Sequence, residues 1–266
     1  MKYILLFLFL LSNLFAREID LTILHVDNQK HRAIVQAPTQ LQKGISGFGI
    51  HFIAKNHTSI LANVVVKEYF ENNKTALIEL KAFNTLENNA LPKGEWKLQK
   101  GDIIVLAVGY SRALLIAPSE EIYHKITSRI KVQWVHPDLY ATVLSFSGHP
   151  TPLKSDFDAM LDATGTGLLF IYLNQKLFTL DMKTFKILAI NDAPFHQKKT
   201  QLPFYSRIKK IEAAWFGEGS DEMESYAPHY YDLLVTYNPE NQSLYKIIKQ
   251  QKLLKILQKF TIGDAK

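Results

Sequence analysis

Residues 60–83 read ILANVVVKEYF-ENN-KTALIELKAF, and this stretch decides the fold of the first part of the chain. Two segments rich in apolar and β-branched residues, 60–70 and 74–83, flank the polar turn Glu71-Asn72-Asn73. Residues of these types are enriched in strands, and a short polar break between two such segments is typical of a β-hairpin. The sequence therefore predicts a long antiparallel hairpin over these residues.

The same signals predict further strands on both sides of the hairpin. They cover residues 19–26, 31–36, 44–53, 103–108 and 112–117. Seven short strands at this spacing, without a helical pattern between them, indicate a small barrel or sandwich. The glycines at 44, 47 and 49 have the wrong spacing for a dinucleotide-binding loop, and we expect them to permit a bulge or a close approach of strands. Residues 17–118 are predicted to form a separate β-rich, barrel-like or sandwich-like domain.

After Pro118 the pattern changes to mixed helices and strands. Helices are predicted after the possible N-cap Ser119, from Pro137 to Phe146, and from Thr151-Pro152 to the stop at Gly165. A strand meander follows over 167–190, and further strands are predicted at 208–216 and 232–237. Residues 119–266 are thus predicted to form an α/β-type domain, which makes the whole chain α+β.

The last stretch, from Leu244 to Phe260, combines apolar residues with regularly spaced lysines. These are Lys246, Lys249, Lys252, Lys255 and Lys259. Spacings of three and four residues indicate an amphipathic basic helix over the second half of the stretch. The first half is alternatively a strand that pairs with residues 232–237 across the turn at 238–241.

The N-terminus has the three parts of a secretory signal peptide. Lys2 supplies a positive charge, residues 3–15 are almost all apolar, and Ala16 precedes the charged sequence Arg17-Glu18. As a helix the apolar run would be about 20 Å long, whereas a hydrocarbon core is about 30 Å thick. We therefore expect residues 1–16 to be a cleaved signal peptide, the alternative being an uncleaved anchor, and the remaining chain to lack an integral membrane segment.

Composition limits what the exported part can do. The chain contains no cysteine, which excludes disulfides, thiolate metal sites and cysteine nucleophiles. The formal net charge is +6 and the pI about 9.2, which favours anionic surfaces, although nucleic acid is an unsuitable partner for an exported protein. The sequence therefore predicts a location outside the cytoplasm and no role in nucleic-acid binding.

A search for catalytic motifs gives no candidate. Ser111 lies in a sequence similar to a nucleophile elbow, but the closing glycine is missing and the segment lies between strands. His136 and His149 bracket one predicted helix and could converge, yet no pair of histidines has metal-ligand spacing. Asp156 and Asp158 are predicted to lie on a solvent-exposed helix side, and the acidic loop 217–225 lacks calcium-loop spacing. We predict no enzymatic activity, no cofactor and no metal.

A binding role is open to two features at the C-terminus. One is the lysine-bearing segment described above, and the other is Lys266, which presents an ammonium and the terminal carboxylate together. A receptor with paired anionic and cationic sites can recognise this arrangement, because capture of a terminal carboxylate is an established recognition mode. The alternative is that the basic tail aids solubility or touches anionic lipid.

Several segments resemble a known family. They are residues 17–24 (REIDLTIL), Gly101-Asp102, residues 110–118 (YSRALLIAP), and the stretch from residues 135–138 to 156–157. The chain is similar over most of residues 17–250 to the N-terminal domain family of plasminogen-binding surface proteins from host-associated Gram-negative bacteria. These segments mark a fold and carry no catalytic fingerprint.

The resemblance implies an exported, non-enzymatic protein at the periplasm or outer surface of a Gram-negative cell. Its expected partner is plasminogen, whose kringle domains recognise exposed or terminal lysines. The site residues implied here are Lys266, Lys259, Lys255 and Lys252. Members named for this activity carry a long charged extension after the domain, which these 266 residues do not show. The alternative is a periplasmic structural or assembly protein that holds a cell-envelope protein and has no plasminogen role.

Overall fold

The computed structural model describes residues 18–55, 57–83, 96–196 and 199–262. The chain divides into two compact units, with the division between Tyr110 and Ser111. No helix of the described residues is long and apolar enough to cross a membrane. The predicted signal peptide, residues 1–16, lies outside the described residues, as does Lys266.

The first unit is a closed barrel of six antiparallel strands. The strands are β1 (Ile19–Asp27), β2 (Arg32–Gln36), β3 (Ser46–Ala54), β4 (His57–Phe70), β5 (Thr75–Ala82) and β6 (Ile103–Leu106). Their order around the barrel is β1-β2-β5-β4-β3-β6, and β6 pairs with β1 to close it. The predicted barrel and the predicted hairpin are confirmed, since β4 pairs with β5 from Phe70–Thr75 to Ala62–Ala82.

Alternation along the hairpin explains why it can form a barrel wall. On β4, Val64 and Val66 are buried, and on β5, Ile78 and Leu80 are buried, while the residues between them are more exposed. Successive side chains of a strand point to opposite faces, so one face fills the interior. Closure of the sheet removes the unpaired strand edges that an open sheet would expose.

A glycine on β3 permits a close approach to β6. A Cβ atom placed on Gly47 would lie 2.0 Å from the carbonyl oxygen of Val105, which is far inside van der Waals contact. Gly47 pairs with Leu106 across the two strands. The prediction that the glycines of this segment permit close strand packing is confirmed at this position.

The second unit is built on a five-stranded sheet. Its strands are β7 (Arg112–Ile116), β8 (Gln133–Val135), β9 (Leu168–Leu173), β10 (Lys176–Asp181) and β11 (Ile187–Asp192). The order is β11-β10-β9-β7-β8, in which β7 runs parallel to β8 and β9 and the other pairs are antiparallel. The predicted meander is therefore β9-β10-β11.

The described helices all belong to the second unit. They are α1 (Glu120–Thr127), α2 (Pro137–Ser147), α3 (Lys154–Thr164), α4 (Tyr226–Tyr237), α5 (Gln242–Gln250) and α6 (Leu254–Leu257). Three predicted helix ends are confirmed. Ser119 caps α1 by accepting a hydrogen bond from the Ile122 amide, Pro137 is the first residue of α2, and Gly165 ends α3 in the left-handed conformation.

One core joins the sheet to five of these helices. Large buried side chains from α2, α3, α4, α5 and α6 pack with residues of β7, β9 and β10. Aromatic rings are prominent: Tyr140 stacks on Phe204 with ring centroids 5.3 Å apart and lies 4.7 Å from Phe157. The C-terminal helices are thus part of this core and not an appendage to it.

The domain boundary predicted at residue 118 differs from the observed division. Residues 112–116 form β7, which pairs with β8 and β9 of the second sheet and with no strand of the barrel. The strand carries four consecutive buried residues, Ala113 to Ile116. Both of its faces are covered, as is usual for a parallel strand, and this burial pattern distinguishes it from the alternating barrel strands.

Two strands predicted in the second unit are wrong. Residues 208–216 form neither strand nor helix, and residues 232–237 belong to helix α4. The buried residues of α4 are Tyr226, Tyr230, Tyr231, Leu234 and Val235. Their spacing of three to five is helical. The prediction followed the β propensity of Tyr and Val, and packing against the core overrides that propensity.

Candidate functional site

The C-terminal lysine segment, residues 242–260, consists of two helices joined by a tight turn. The alternative of a strand over its first half is wrong, because α5 occupies residues 242–250. Asn241 caps α5 by accepting a hydrogen bond from the Leu244 amide at 2.9 Å. Leu244 and Ile248 are buried on one face, whereas Lys246 and Lys249 are exposed on the other. The predicted amphipathic character is therefore present from the start of the segment.

The turn between the two helices places Lys252 in the left-handed conformation, with φ of 57°. The Lys252 amide donates to the Lys249 carbonyl oxygen at 3.2 Å, and the Leu253 amide is 3.5 Å from the Ile248 carbonyl oxygen. This pair of contacts is the Schellman arrangement that ends many helices. Glycine usually occupies this position, because a residue with a side chain is strained there. In this chain the position is occupied by Lys252.

The segment is held firmly against the second unit. Ile256 of α6 is buried in the core, and the Thr261 amide donates to the Pro239 carbonyl oxygen at 3.1 Å. The Asn174 side-chain amide donates to the Gln251 side-chain oxygen at 2.8 Å. The lysines therefore project from an ordered backbone.

The predicted site lysines fall into different environments. Lys252 and Lys255 are exposed, as are Lys246 and Lys249. Within residues 18–55, 57–83, 96–196 and 199–262, the ammonium groups of these four lysines take part in no hydrogen bond or ion pair. We call them the four open lysines. They are available to an external anion without the loss of an internal contact.

Lys259 differs from the other lysines of the segment. Its ammonium nitrogen lies 2.6 Å from one carboxylate oxygen of Asp232 and 2.8 Å from the other. Both side chains remain about half exposed, at 48% and 41%. An exposed pair of this kind contributes at most about 1 kcal/mol to stability, but an external ligand must compete with Asp232 for Lys259.

The histidines that bracket α2 do not converge on a site. His136 caps the helix by accepting from the Asp138 amide at 3.2 Å, whereas His149 bonds the Asp156 carboxylate at 2.8 Å. Asp156 is only 1% exposed, so its predicted solvent-exposed position is wrong. Its second oxygen accepts from the Leu153 amide at the start of α3. The spacing of Asp156 and Asp158 could not reveal this, because His149 approaches from outside the helix.

A second carboxylate anchors a loop instead of forming a reactive site. Asp138 accepts hydrogen bonds from the backbone amide and guanidinium of Arg207 and from the Ser206 hydroxyl. Partial burial alone would raise the pKa of Asp138, but the bonds from Arg207 and Ser206 outweigh burial and lower it below the ordinary value. This carboxylate is thus held charged as an internal contact.

The described residues show no metal or nucleophile arrangement. No group of three or more His, Cys, Asp or Glu side chains among them could hold a metal ion. Ser111 follows a turn between β6 and β7 and accepts, through its carbonyl oxygen, a hydrogen bond from the Gln133 amide. Its surroundings are those of an ordinary strand connection.

Family comparison gives the context for these features. The family described as "Plasminogen-binding protein pgbA N-terminal" matches residues 18–234, which is most of the chain. The chain belongs to this family. The matched residues include the barrel and the second unit as far as Leu234 in α4, and the C-terminal lysine segment lies beyond them. The family name describes a binding protein.

Two curated relatives carry the same name. The plasminogen-binding protein PgbA of Helicobacter pylori strain J99 is 27% identical over 209 residues, and that of strain 26695 is 27% identical over 210 residues. Each alignment covers 77% of this chain and 45% of the relative. The chain thus spans about half the length of the curated relatives it matches. No solved structure matches the chain.

Sequence reasoning missed one exposed surface of the second unit. Trp215 and Phe216 are almost fully exposed, as is Phe146 of α2. The predicted strand at 208–216 would have buried part of this sequence. An aromatic pair directly before the glycine-rich acidic loop 217–225 was the available signal, because such a loop is a poor continuation for a buried strand.

Proposed function

We propose that this chain is an exported protein that binds plasminogen through exposed lysines at its C-terminal end. Three observations support the proposal: the family match, the name of the relatives, and the four open lysines. The signal-like sequence of residues 1–16 supports export. The observation that carries the proposal of binding through lysines is the presence of four unpaired ammonium groups on one ordered segment.

The physical case rests on what a lysine-binding domain must do. A kringle domain places an anionic site against the ammonium and a cationic site against a carboxylate. An open lysine such as Lys252 or Lys255 enters this site without breaking an ion pair, whereas Lys259 must first leave Asp232. Several lysines close together on one segment raise the chance of rebinding, so their combined affinity exceeds that of one.

Lys266 is proposed as the strongest single contact. It carries both required charges, because its side-chain ammonium and the terminal carboxylate belong to one residue. A charge-assisted hydrogen bond contributes roughly 1.5–3 kcal/mol, which corresponds to about tenfold or more in affinity. The open lysines have no carboxylate on their own residue, so each should contribute less.

Binding to immobilised plasminogen tests the proposal directly. The chain without residues 1–16 is measured with and without a free lysine analogue, and then after removal of Lys266 by deletion or by carboxypeptidase B. We expect the analogue to compete, and removal of Lys266 to weaken binding about tenfold. If the analogue competes but removal has no effect, internal lysines carry the binding. Absence of any lysine-sensitive binding would rule out plasminogen capture and favour the periplasmic structural role.

Exposure at the cell surface needs a separate experiment. Intact cells are treated with a protease, and the protein is followed by immunoblot beside a periplasmic control protein. Surface display predicts that this chain is degraded while the control survives. Survival of both proteins would contradict a surface receptor and support a role inside the envelope.

A further inference from the structure

Three aromatic side chains of the second unit are exposed to an unusual degree. Phe146 is 94% exposed, Trp215 is 100% exposed and Phe216 is 88% exposed. Isolated apolar side chains on a surface are common, but grouped aromatic ones mark an interaction site more often than chance. We call these three residues the aromatic patch.

Backbone contacts hold the aromatic patch together. The Ala214 amide donates to the Gly148 carbonyl oxygen at 2.9 Å, and the Glu212 amide donates to the Ser145 hydroxyl at 3.3 Å. Phe146 lies between Ser145 and Gly148, and Trp215 follows Ala214 directly. The two backbone segments, 145–148 and 212–216, pass so closely that a Cβ on Gly148 would lie 2.7 Å from the Cβ of Ala214. The backbone segments that carry the three rings are therefore joined next to the patch.

An acidic loop borders the patch. This acidic loop, residues 217–225, contains four acidic residues and no lysine or arginine. The carboxylates of Glu218, Asp221, Glu222 and Glu224 are exposed and form no ion pair within the described parts of the chain. Thr151 holds the loop through two hydrogen bonds. Its amide donates to the Gly219 carbonyl oxygen at 3.1 Å, and its hydroxyl donates to the Asp221 backbone carbonyl oxygen at 2.7 Å. This surface is aromatic and negative on a chain whose net charge is positive.

The C-terminal lysine segment has the complementary character. Leu254 is 71% exposed between Lys252 and Lys255. The segment therefore presents an apolar side chain flanked by unpaired ammonium groups, whereas the patch presents apolar rings flanked by unpaired carboxylates. Complementary charges at the border of an apolar contact favour association and fix its register.

We infer that the aromatic patch and its acidic loop bind the C-terminal lysine segment of a second copy of this chain. Trp215 and Phe216 would cover Leu254, and the carboxylates of the loop would meet Lys252 and Lys255. Lysine ammonium groups also bind favourably over aromatic faces. An anionic lipid surface is a poorer occupant, because the acidic loop would be repelled by it.

Sedimentation velocity of the chain without residues 1–16 tests this inference without plasminogen, so the outcome is independent of the proposed function. We expect self-association that increases with protein concentration over a range up to about 1 mM. Salt should weaken this association, because exposed charges are screened. Trp215→Ala/Phe216→Ala should weaken association at least about tenfold. The matched control Phe52→Ala/Ile53→Ala removes exposed apolar side chains from the barrel and should leave association unchanged.

Charge exchange identifies the two surfaces. Glu218→Lys/Glu222→Lys and Lys252→Glu/Lys255→Glu should each abolish self-association, and an equimolar mixture of the two variants should associate again. These side chains are exposed, so both charge variants should fold. The test therefore remains valid even if the Trp215→Ala/Phe216→Ala variant fails to fold. A chain that stays monomeric throughout overturns the inference, as does association that survives both charge variants or a mixture that fails to associate.

Discussion

Helix α3 and the C-terminal lysine segment use their charged side chains in opposite ways. In α3, Asp156 is buried and bonded to His149 and to the Leu153 amide. Lys154 bonds Asp158 at 2.7 Å and lies 5.7 Å from the centroid of the Phe185 ring. In the C-terminal segment, the four open lysines have no such contacts among the described residues.

The difference separates charges that stabilise the fold from charges that are free to bind. Burial desolvates the Lys154 ammonium and lowers its pKa, an effect that the hydrogen bond it donates to Asp158 only partly offsets. Its charge is therefore committed to an internal contact. The family match covers α3 and ends before α5. Helix α3 therefore lies in the part of the chain that matches the family, whereas the C-terminal segment lies beyond it.

The largest expected effect is the loss of the buried carboxylate of α3. Asp156→Ala removes the acceptor of two hydrogen bonds and leaves the Leu153 amide and His149 without it. We expect a loss of roughly 2–3 kcal/mol in the free energy of unfolding, because hydrogen bonds to charged groups are strong and unsatisfied partners are costly. Urea unfolding measures this value.

Asp162→Ala is the matched control on the same helix, since Asp162 is exposed. It should change stability by no more than about 0.5 kcal/mol. Equal effects of the two substitutions would contradict the distinction between charges that stabilise and charges that are free.

A smaller effect is expected at the turn of the C-terminal segment. Lys252→Gly should stabilise the protein by up to about 1 kcal/mol, because relief of left-handed strain, about 1–2 kcal/mol, exceeds the entropy cost of glycine, about 0.5–1 kcal/mol. Lys255→Gly, within α6, should instead destabilise by up to about 1 kcal/mol. Thermal unfolding of both variants checks the opposite signs, and the same sign in both would show that backbone conformation does not control this turn.

The smallest expected effect concerns acid pH and Asp138. The pKa of Asp138 is lower in the folded protein than in the unfolded chain. This carboxylate therefore stabilises the fold above its unfolded pKa, and the contribution is lost as pH falls through the folded pKa. Arg207→Ala removes a major cause of the lowered pKa, so the difference in unfolding free energy between variant and parent should shrink below about pH 4. A difference that is constant with pH would contradict this role of Arg207.

The parts of the fold that depend on local sequence were predictable. The hairpin over 60–83, the cap at Ser119 and the stop at Gly165 follow from turn and cap chemistry, and all three are observed. Helix α4 was not predictable from propensity, because its Tyr and Val residues favour strands until the core selects the helical face. Strand β7 was assigned to the wrong unit, since a short apolar strand does not specify its partner.

In the candidate site, too, features set by local sequence were predictable and features set by packing were not. The exposure of Lys246 and Lys249 follows from helical spacing, which places them away from the buried Leu244 and Ile248. The exposure of Lys252 does not, because α5 ends at Gln250 and Lys252 lies in the turn before α6. The pairing of Lys259 with Asp232 joins residues 27 apart in sequence. No local pattern reports such a contact, and only the packing of α6 against α4 brings the two side chains together.

The most direct test of lysine-dependent binding compares two variants with the same change in charge. One carries alanine at the four open lysines, 246, 249, 252 and 255. The other carries alanine at four lysines that the structure pairs with carboxylates, Lys30, Lys67, Lys125 and Lys176. We expect the first variant to bind immobilised plasminogen at least about tenfold more weakly than the parent, and the second to keep its affinity. Equal affinity of the two variants would contradict this expectation.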